Sequence, residues 1–459
     1  MTQISAILLA FGESGHSAPQ SVPAMVTLGC IMVATYLAIA FEWLHKSLAA
    51  MLGAIFAIIA AMYFGLFLDE AKDVHEIIGE DLGVIGVIVG TSILVDIVGR
   101  SGLFHFLAIK IVKQTGGDPV RLLFFLVLAT MAFVTFLTIA PGTLIMVSLT
   151  LVVTKELDLD PKPYILAVAL AANSAALMTF ASGICTLMLG TAGRLPYVDF
   201  FRVTTPMAIL SVVVVYFVIR KRYAPLLVTH GDVDERQKKV DGFDEWALVK
   251  DRRLFIRSAI ILGGTIVGFA LAESLRVGMD FIAFCGGTAA LLFSGIYPDE
   301  AIKKVNWTVI LFFVGLFVII GAVRESGLLT VLAHNMVAVF GGNPTLLMMV
   351  MAIFVLVLSG IVDNIPVAAT LIPIVRAMGE QGVAVNPLWW TLIIASNLGG
   401  NSTPVGSVST VIALHALEKE RHSTVSWGEF LRLGGAILGI QTVLVLVYLF
   451  AFQKFNLFP

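Results

Sequence analysis

Long apolar runs, separated by short polar stretches, recur along the whole chain. The clearest are residues 22–41, 48–67, 122–137, 208–219, 259–271, 309–323, 346–361 and 436–450. With their flanking residues, these runs approach the roughly 20 residues that a helix needs to cross a bilayer. The pattern predicts an all-α polytopic membrane protein with about ten to twelve transmembrane segments and some short broken helices.

The longest polar stretch divides the chain into halves of similar size. Residues 220–257 are rich in Lys and Arg, and the positive-inside rule predicts a basic cytoplasmic linker there. This linker separates a first transmembrane repeat, 21–219, from a second, 258–459. Residues 1–20 are expected to be an N-terminal segment of the mature protein, because they lack a basic start and a persuasive cleavage site. A cleaved signal peptide is the alternative.

Sequence matches between the two halves keep a nearly constant offset. Ser101–Leu103 recurs as Ser326–Leu328, 225 residues later (326 − 101), and Asn173 matches Asn397 at an offset of 224 (397 − 173). In many secondary transporters two internal repeats place broken helices around the substrate. Inverted repeats are favoured here, because an odd number of crossings on each side of a cytoplasmic linker produces them.

Proline and polar residues interrupt two apolar runs at matching positions, 137–143 and 362–368. Proline removes a backbone donor, so the groups that it frees need partners in the protein. Asp363 is the acidic residue of these breaks, and at this depth it is a candidate proton carrier or cation ligand. The alternative is a structural carboxylate that caps the following helix. The candidate site residues of the breaks are Thr138, Thr143, Asp363 and Asn364.

Two further stretches, 172–183 and 396–407, combine small residues with Asn, Ser and Thr. Such sequences suit the tips of re-entrant hairpins, which a bilayer tolerates only where they line a cavity. The alternative is close helix packing without contact to a substrate. The candidate ligand-binding residues of these stretches are Asn173, Thr179, Asn397, Asn401, Ser402 and Thr403.

Asp96 lies inside another predicted crossing, and two interpretations of it remain open. It is a candidate second proton site, or it pairs with Arg100 four residues later in the helix. The ion pair is the favoured interpretation.

Composition agrees with a membrane protein and excludes several classes of function. Hydrophobic residues make up 58% of the chain and charged residues 13%, whereas soluble domains carry roughly a quarter charged residues. The net charge of −2 does not bear on nucleic-acid binding, but the lack of a basic stripe with interleaved aromatic residues excludes nucleic acid as an expected partner. Cys30, Cys185 and Cys285 show no metal or disulfide spacing. No nucleophile–base or zinc-protease motif indicates an enzyme.

The segments 359–370 and 397–407 carry a resemblance to a known family. They resemble the Asp-Asn-x-Pro segment and the Gly-Gly-Asn-x-Thr-x-x-Gly hairpin of the ArsB/NhaD permeases of the ion transporter superfamily. That superfamily includes the melanosomal P protein and is related to citrate and dicarboxylate carriers. NhaD-type sodium/proton antiporters imply a second Asp-Asn pair in the first half, where this chain has Thr138 and Ile139. Residues 403–410 look more like the arsenite permeases.

The resemblance implies proton-coupled efflux of arsenite and antimonite across the inner membrane by a multi-pass protein, with Asp363 as the coupling carboxylate. A sodium/proton antiporter of the NhaD type and a sodium-coupled carrier of citrate-like di- and tricarboxylates are the alternatives. A passive channel with an ATPase partner is a further one. The expected partners are a small inorganic substrate, membrane lipids and a second copy in a homodimer. No cofactor is expected beyond the coupling ion, H⁺ or Na⁺.

Overall fold

The described part of the protein is entirely helical. The computed structural model describes residues 21–40, 43–67, 75, 77, 79, 82–227, 237–238, 240–247, 249–340, 343–421 and 424–459, and its regular elements are all helices. The predicted N-terminal segment 1–20 and parts of the predicted linker lie outside the described residues. The all-α prediction is confirmed for the part of the chain that the structure describes.

The helices of the first half are α1 (Val22–Ala40), α2 (Lys46–Tyr63), α3 (Leu82–Arg100), α4 (Leu103–Lys113), α5 (Pro119–Leu137), α6 (Ile139–Glu156), α7 (Lys162–Ala175), α8 (Ile184–Ala192) and α9 (Tyr197–Arg222). A short 3₁₀ turn, Ala224–Leu227, follows. Those of the second half are α10 (Arg252–Leu275), α11 (Met279–Ser294), α12 (Pro298–Ile302), α13 (Trp307–Glu325), α14 (Leu328–Phe340), α15 (Pro344–Ile361), α16 (Asn364–Glu380), α17 (Asn386–Gly399), α18 (Val408–Arg421) and α19 (Trp427–Lys454).

Within the described residues, ten helices are long and apolar enough to cross a membrane. They are α1, α2, α3, α5, α6, α9, α10, α13, α15 and α19. This number agrees with the ten to twelve crossings predicted from the apolar runs. The remaining helices near the breaks are shorter, as expected for segments that do not cross the bilayer alone.

The order of helices in residues 82–222 recurs in residues 307–454. The helices α3 to α6 start 225 residues before α13 to α16 (for example 307 − 82), α7 and α8 start 224 before α17 and α18 (386 − 162, 408 − 184), and α9 starts 230 before α19 (427 − 197). The repeated residues therefore belong to a repeated series of seven helices. Their inverted orientation in a membrane stays a prediction.

The chain forms two compact units, which do not coincide with the two sequence repeats. One consists of Met1–Gly79 with Leu311–Leu332, and the other of Glu80–Ile310 with Ala333–Pro459. In the first unit, a Cβ added to Gly315 of α13 would lie 2.6 Å from the carbonyl carbon of Ala50 in α2. Small residues allow helices to approach this closely in membranes. Each unit thus contains helices from both halves.

The same close approach occurs in the second unit at the equivalent glycine (315 − 90 = 225). A Cβ added to Gly90 of α3 would lie 2.3 Å from the carbonyl carbon of Ala283 in α11. The helices α3 and α11 therefore pack backbone to backbone. The candidate site residues all belong to this second unit.

The end of the predicted linker packs against the amphipathic helix α4 in the second unit. The rings of Trp246, Phe106 and Phe255 contact one another, with centroids 4.6 to 5.5 Å apart. Glu245 forms an ion pair with Lys113, and the guanidinium of Arg252 lies 4.7 Å from the centre of the Trp246 ring. An aromatic cluster and an ion pair thus hold this part of the linker on α4.

Candidate functional site

Both predicted helix breaks are present. The helix α5 ends at Leu137 and α6 begins at Ile139, with Thr138 between them at φ 70° and ψ 166°. Positive φ is unusual for a β-branched residue, because its side chain collides with the backbone. In the second half α15 ends at Ile361, and Asp363 is the N-cap of α16. Both breaks leave the ends of two helices inside apolar sequence.

The two predicted hairpins are helix pairs joined by short irregular tips. In the first half α7 and α8 are joined by residues 176–183, and in the second half α17 and α18 are joined by residues 400–407. A Cβ added to Gly400 would lie 2.5 Å from the carbonyl oxygen of Gly406. The second tip therefore folds back on itself so tightly that only glycine fits at this position.

Each hairpin tip supplies a hydrogen bond to the break of its own half. The Thr179 hydroxyl donates to the carbonyl oxygen of Thr135 at 3.1 Å. The Ser402 hydroxyl is shared between the carbonyl oxygens of Gly399, at 3.0 Å, and Gly360, at 3.3 Å. Thr135 and Gly360 are equivalent residues (360 − 135 = 225) near the ends of α5 and α15. Carbonyls that a broken helix leaves without an amide donor are thus bonded by side chains, as burial requires.

The second arm of each hairpin packs on the opposite half. The arm α8 contacts α16 and α17, while α18 contacts α6 and α7. The Cys185 thiol of α8 lies 3.2 Å from the Ser396 hydroxyl and 3.7 Å from the carbonyl oxygen of Asn364. The Ser409 hydroxyl of α18 donates to the carbonyl oxygen of Ala169 at 2.9 Å. The two halves are therefore joined through their hairpins.

The structure brings together three of the candidate asparagines, all fully buried. The Asn173 amide nitrogen Nδ2 donates to the carbonyl oxygen of Asn397 at 2.7 Å and to Asn401 Oδ1 at 3.0 Å. Asn397 Nδ2 in turn donates to the hydroxyl of Thr186, at the start of α8, at 3.2 Å. Asn173 and Asn397, which match in the repeat, therefore meet at the junction of the halves.

Further polar residues that were not predicted from the sequence extend this cluster. Asn401 Nδ2 donates to Ser174 Oγ and to Gln441 Oε1, each at 3.0 Å, and the Ser407 hydroxyl donates to Asn173 Oδ1 at 2.8 Å. One signal was available for Gln441: it is an amide inside the apolar run 436–450. Ser174 and Ser407 lie within the predicted hairpin stretches but carry no feature that distinguishes them from packing residues.

The four helix starts at this site differ in their caps. Asp363 Oδ1 accepts a hydrogen bond from the Ile365 amide at 3.4 Å, and Ser407 Oγ accepts one from the Ser409 amide at 3.3 Å, so α16 and α18 start with a side-chain acceptor. At Thr138 and Gly183, the N-caps of α6 and α8, no side chain caps the helix. Asp363 thus caps α16, as expected if it is a structural carboxylate. Its role in ion coupling stays a prediction.

Four buried side-chain oxygens in these segments have no hydrogen-bond partner within the described part of the protein. They are Asn397 Oδ1, Thr143 Oγ1, Thr403 Oγ1 and Thr410 Oγ1. Buried polar atoms are normally paired, and each unpaired one requires an explanation, such as a functional role or a bound water or ion. Three of these four belong to residues that the sequence singles out. These oxygens can accept or donate bonds to a ligand without breaking existing ones.

Asp96 is placed in a different setting from the other candidates. Its Oδ2 lies 2.8 Å from Arg100 Nε on the same helix, and Arg100 Nη1 lies 3.3 Å from Glu300 Oε2. This is the arrangement that the ion-pair interpretation of Asp96 requires.

Comparisons with known proteins agree with this architecture. The chain is 26% identical over 423 residues to an uncharacterised transporter of Mycobacterium bovis, which covers 91% of this chain and 96% of the relative. It is 24% identical over 525 residues to the P protein of Mus musculus, covering 98% of this chain and 62% of that protein. The crystal structure of the Alcanivorax borkumensis YdaH transporter aligns with a TM-score of 0.59 at 16% identity, over 83% of this chain and 89% of that one. This last likeness shows the fold alone.

The ten spans and these relatives show a multi-pass membrane transporter, and the bacterial relative indicates the cell membrane. The family model that matches, CitMHS, is described as a citrate transporter and aligns with residues 36–395 and 276–457. The sequence resemblance to an ion-transporter-type permease is therefore confirmed at that level, while membership of the ArsB/NhaD family itself is not shown. The chain belongs to the CitMHS citrate transporter family.

Proposed function

We propose that this protein is a secondary active transporter of a citrate-like small carboxylate, driven by a coupled cation. The observation that carries the proposal is the difference in charge between the two halves of the site. The first half presents two helix starts without side-chain caps, at Thr138 and Gly183. The second half presents a carboxylate, Asp363, at the start of α16.

The first half suits the negative groups of the substrate. A helix start carries a partial positive charge and free backbone amides, so it binds carboxylates without a basic side chain. No Lys or Arg occurs in the segments 137–143, 172–183, 362–368 or 396–407. In these segments, the positive groups that can bind a carboxylate are therefore the backbone amides at the starts of α6 and α8.

The second half suits a coupling cation. A citrate-like substrate carries more negative charge than two helix starts neutralise, so a proton or a metal cation must enter with it. Asp363 is the acidic residue of the four segments, and the Asn397 carboxamide oxygen is a buried acceptor that has no partner among the residues that the structure describes. Oxygen donors of this kind bind hard cations, and a buried carboxylate also binds a proton.

Arsenite is less well supported than a carboxylate. A neutral trihydroxide would need hydroxyl and amide partners alone, which the site also offers, but the family match is to citrate transporters. The carboxylate alternative of the sequence analysis therefore becomes the proposed function. Coupling to sodium or to protons, a homodimer and an ATPase partner stay predictions.

Uptake into liposomes containing the purified protein tests the proposal. Radiolabelled citrate is offered under an inward proton gradient, an inward sodium gradient, or neither, and empty liposomes are the control. We expect accumulation above equilibrium under one of the two gradients and its loss when an ionophore removes that gradient.

Three results would contradict the proposal. Sodium pulses that move protons without any citrate would indicate an antiporter of the NhaD type. Gradient-driven movement of arsenite without citrate would restore the arsenical interpretation. Citrate entry that only equilibrates, whichever gradient is applied, would indicate a passive pore.

A further inference from the structure

Gln441 is an amide in the middle of a membrane-crossing helix. It lies in the apolar run 436–450 of α19 and is completely buried. A buried carboxamide in a membrane is costly unless its donors and acceptor are bonded. Its bonds in this protein run through the cluster at the junction of the two halves.

One end of this network fixes which way the Gln441 amide points. Gln441 Nε2 lies 3.5 Å from the carbonyl oxygen of Ser211 in α9 and 3.3 Å from the hydroxyl of Ser174 in α7. A carbonyl oxygen only accepts hydrogen bonds, so Gln441 must turn its nitrogen towards Ser211. Its oxygen Oε1 then faces the other way, towards Asn401.

The orientation of Gln441 agrees with that of the next two amides, which the carbonyl oxygen of Asn397 fixes from the other end of the network. Since Gln441 Oε1 accepts, Asn401 must present Nδ2 to it, at 3.0 Å, and turns Oδ1 towards Asn173. Asn173 then presents Nδ2 to Asn401 Oδ1 and its own Oδ1 to the Ser407 hydroxyl. The same orientation of Asn173 satisfies the carbonyl oxygen of Asn397. Donors and acceptors alternate without a conflict from the carbonyl oxygen of Ser211 to Asn173.

We propose that Gln441 is a positioning residue that, together with the carbonyl oxygen of Asn397, fixes the orientation of the Asn401 and Asn173 amides, and through them the binding surface of the hairpin tips. This arrangement occurs in the second half alone, because the residue equivalent to Gln441 in the first half is Ser211 (441 − 211 = 230). Ser211 supplies only its carbonyl oxygen to the network. This role rests on the proposed function, since the surface that it orients is the proposed carboxylate and cation site.

A double-mutant cycle on thermal unfolding tests the coupling without any transport assay. Gln441 and Asn173 both bond to Asn401. A cycle of Gln441→Met and Asn173→Ala therefore measures the energetic coupling that passes through the Asn401 amide. We expect the double variant to lose clearly less in unfolding midpoint than the two single losses combined. Thr442→Val is the matched control, because the adjacent Thr442 hydroxyl donates to Leu438 of its own helix. Its loss should add to that of Asn173→Ala.

The variant Gln441→Glu tests whether this position must donate to the carbonyl oxygen of Ser211. A protonated carboxyl can donate to the carbonyl oxygen of Ser211. An ionised carboxylate instead places its own oxygen against that carbonyl oxygen, and both atoms only accept hydrogen bonds. The unfolding midpoint of Gln441→Glu, relative to wild type, should therefore be highest at low pH and fall as pH rises, while that of Gln441→Met stays independent of pH. This variant also tests the role if Gln441→Met is too unstable to purify.

Transport kinetics separate positioning from mere stability. In Gln441→Met we expect the KM for citrate to rise about tenfold with little change in maximal rate, the size expected when buried amides lose their alignment. An additive cycle, a pH-independent Gln441→Glu, or a coupled cycle with an unchanged KM overturns the role of Gln441. If the wild-type protein takes up no citrate, the proposed function fails. The double-mutant cycle and the pH series of Gln441→Glu then test the role of Gln441 without the transport data.

Discussion

Asn173 and Asn397 are equivalent residues of the two halves, yet Asn173 donates its side-chain amide to the backbone carbonyl oxygen of Asn397, at 2.7 Å, rather than to its side chain. The two side chains also have different surroundings. Asn173 bonds to Asn401 and Ser407 of the opposite half, while Asn397 Oδ1 accepts no hydrogen bond from the described part of the chain. The two equivalent residues thus differ in their roles. Asn173 bonds across the two halves, whereas Asn397 presents its Oδ1 as an acceptor for a ligand.

Asn173→Ala and Asn397→Ala should therefore differ in their effects. Asn173→Ala leaves Asn401 Oδ1 and the Asn397 carbonyl without a buried donor, at a cost of about 1–3 kcal/mol for each unpaired group. We expect a clear fall in the unfolding midpoint of Asn173→Ala. For Asn397→Ala we expect a smaller fall together with weaker citrate or cation binding, measured as ligand-dependent stabilisation.

Thr130→Val is the control for both variants, because the buried Thr130 hydroxyl donates to Leu126 of its own helix. It should change neither ligand binding nor the unfolding midpoint by a comparable amount. Equal destabilisation by Asn173→Ala and Asn397→Ala would show that the two residues are not specialised.

Asp363→Asn should separate the capping role of Asp363 from its charge. Asparagine caps helices about as well as aspartate, so the bond to the Ile365 amide can persist. We expect the unfolding midpoint to change little, while gradient-driven citrate uptake falls at least about tenfold because the group that binds the coupling cation is lost. Uptake in proteoliposomes and thermal unfolding measure the two quantities separately.

Asp118→Asn is the matched control, because Asp118 caps α5 by accepting from the Arg121 amide at 2.7 Å and is not a candidate site residue. It should leave uptake intact. Full gradient-driven uptake by Asp363→Asn would restrict Asp363 to the structural role of a helix cap.

Thr138→Gly should stabilise the protein while impairing transport. Thr138 has φ 70°, a conformation that costs a β-branched residue about 1–3 kcal/mol and glycine almost nothing. We expect a higher unfolding midpoint but a higher KM, since the threonine hydroxyl of the break is lost. Arg194→Gly, at φ 51° outside the breaks and hairpin tips, should raise stability without changing KM. A lower midpoint for Thr138→Gly would mean that side-chain packing outweighs the strain.

Gly400→Ala should disrupt the second hairpin tip. The added Cβ would lie 2.5 Å from the Gly406 carbonyl oxygen and 3.2 Å from Asn173 Nδ2, so the tip or the asparagine cluster must shift. We expect loss of uptake and a lower yield of folded protein in size-exclusion chromatography. At Gly435, an added Cβ meets no atom within 4 Å, and Gly435→Ala should behave like wild type. Normal uptake by Gly400→Ala would show that the tip has room that the structure does not indicate.

The helices and the breaks could be predicted because both follow from local chemistry. Apolar runs of membrane-crossing length and proline in an apolar run each limit the backbone to few conformations. The bonds of Asn173 could not be predicted, since they depend on residues up to 234 positions away (407 − 173). Gln441 was missed for the same reason: its partners Asn401, Ser174 and Ser211 come from three other segments. The two compact units were also not predicted from the sequence, because each unit combines helices of both repeats.

The contact between the linker and α4 should weaken at low pH. The hydrogen bond from Lys113 holds the pKa of Glu245 below its ordinary value. A lowered carboxyl pKa means that the contact contributes above the ordinary pKa of the group and is lost as pH falls through the lowered one. Hydrogen–deuterium exchange of peptides covering residues 243–251, corrected for the intrinsic rate at each pH, should therefore show protection that decreases towards acidic pH. Glu245→Gln should be less protected at neutral pH and lack this transition, whereas Asp241→Asn, whose carboxylate contacts Gln237, should keep it. Protection of the wild type that does not change with pH would show that the Trp246 cluster alone holds the linker.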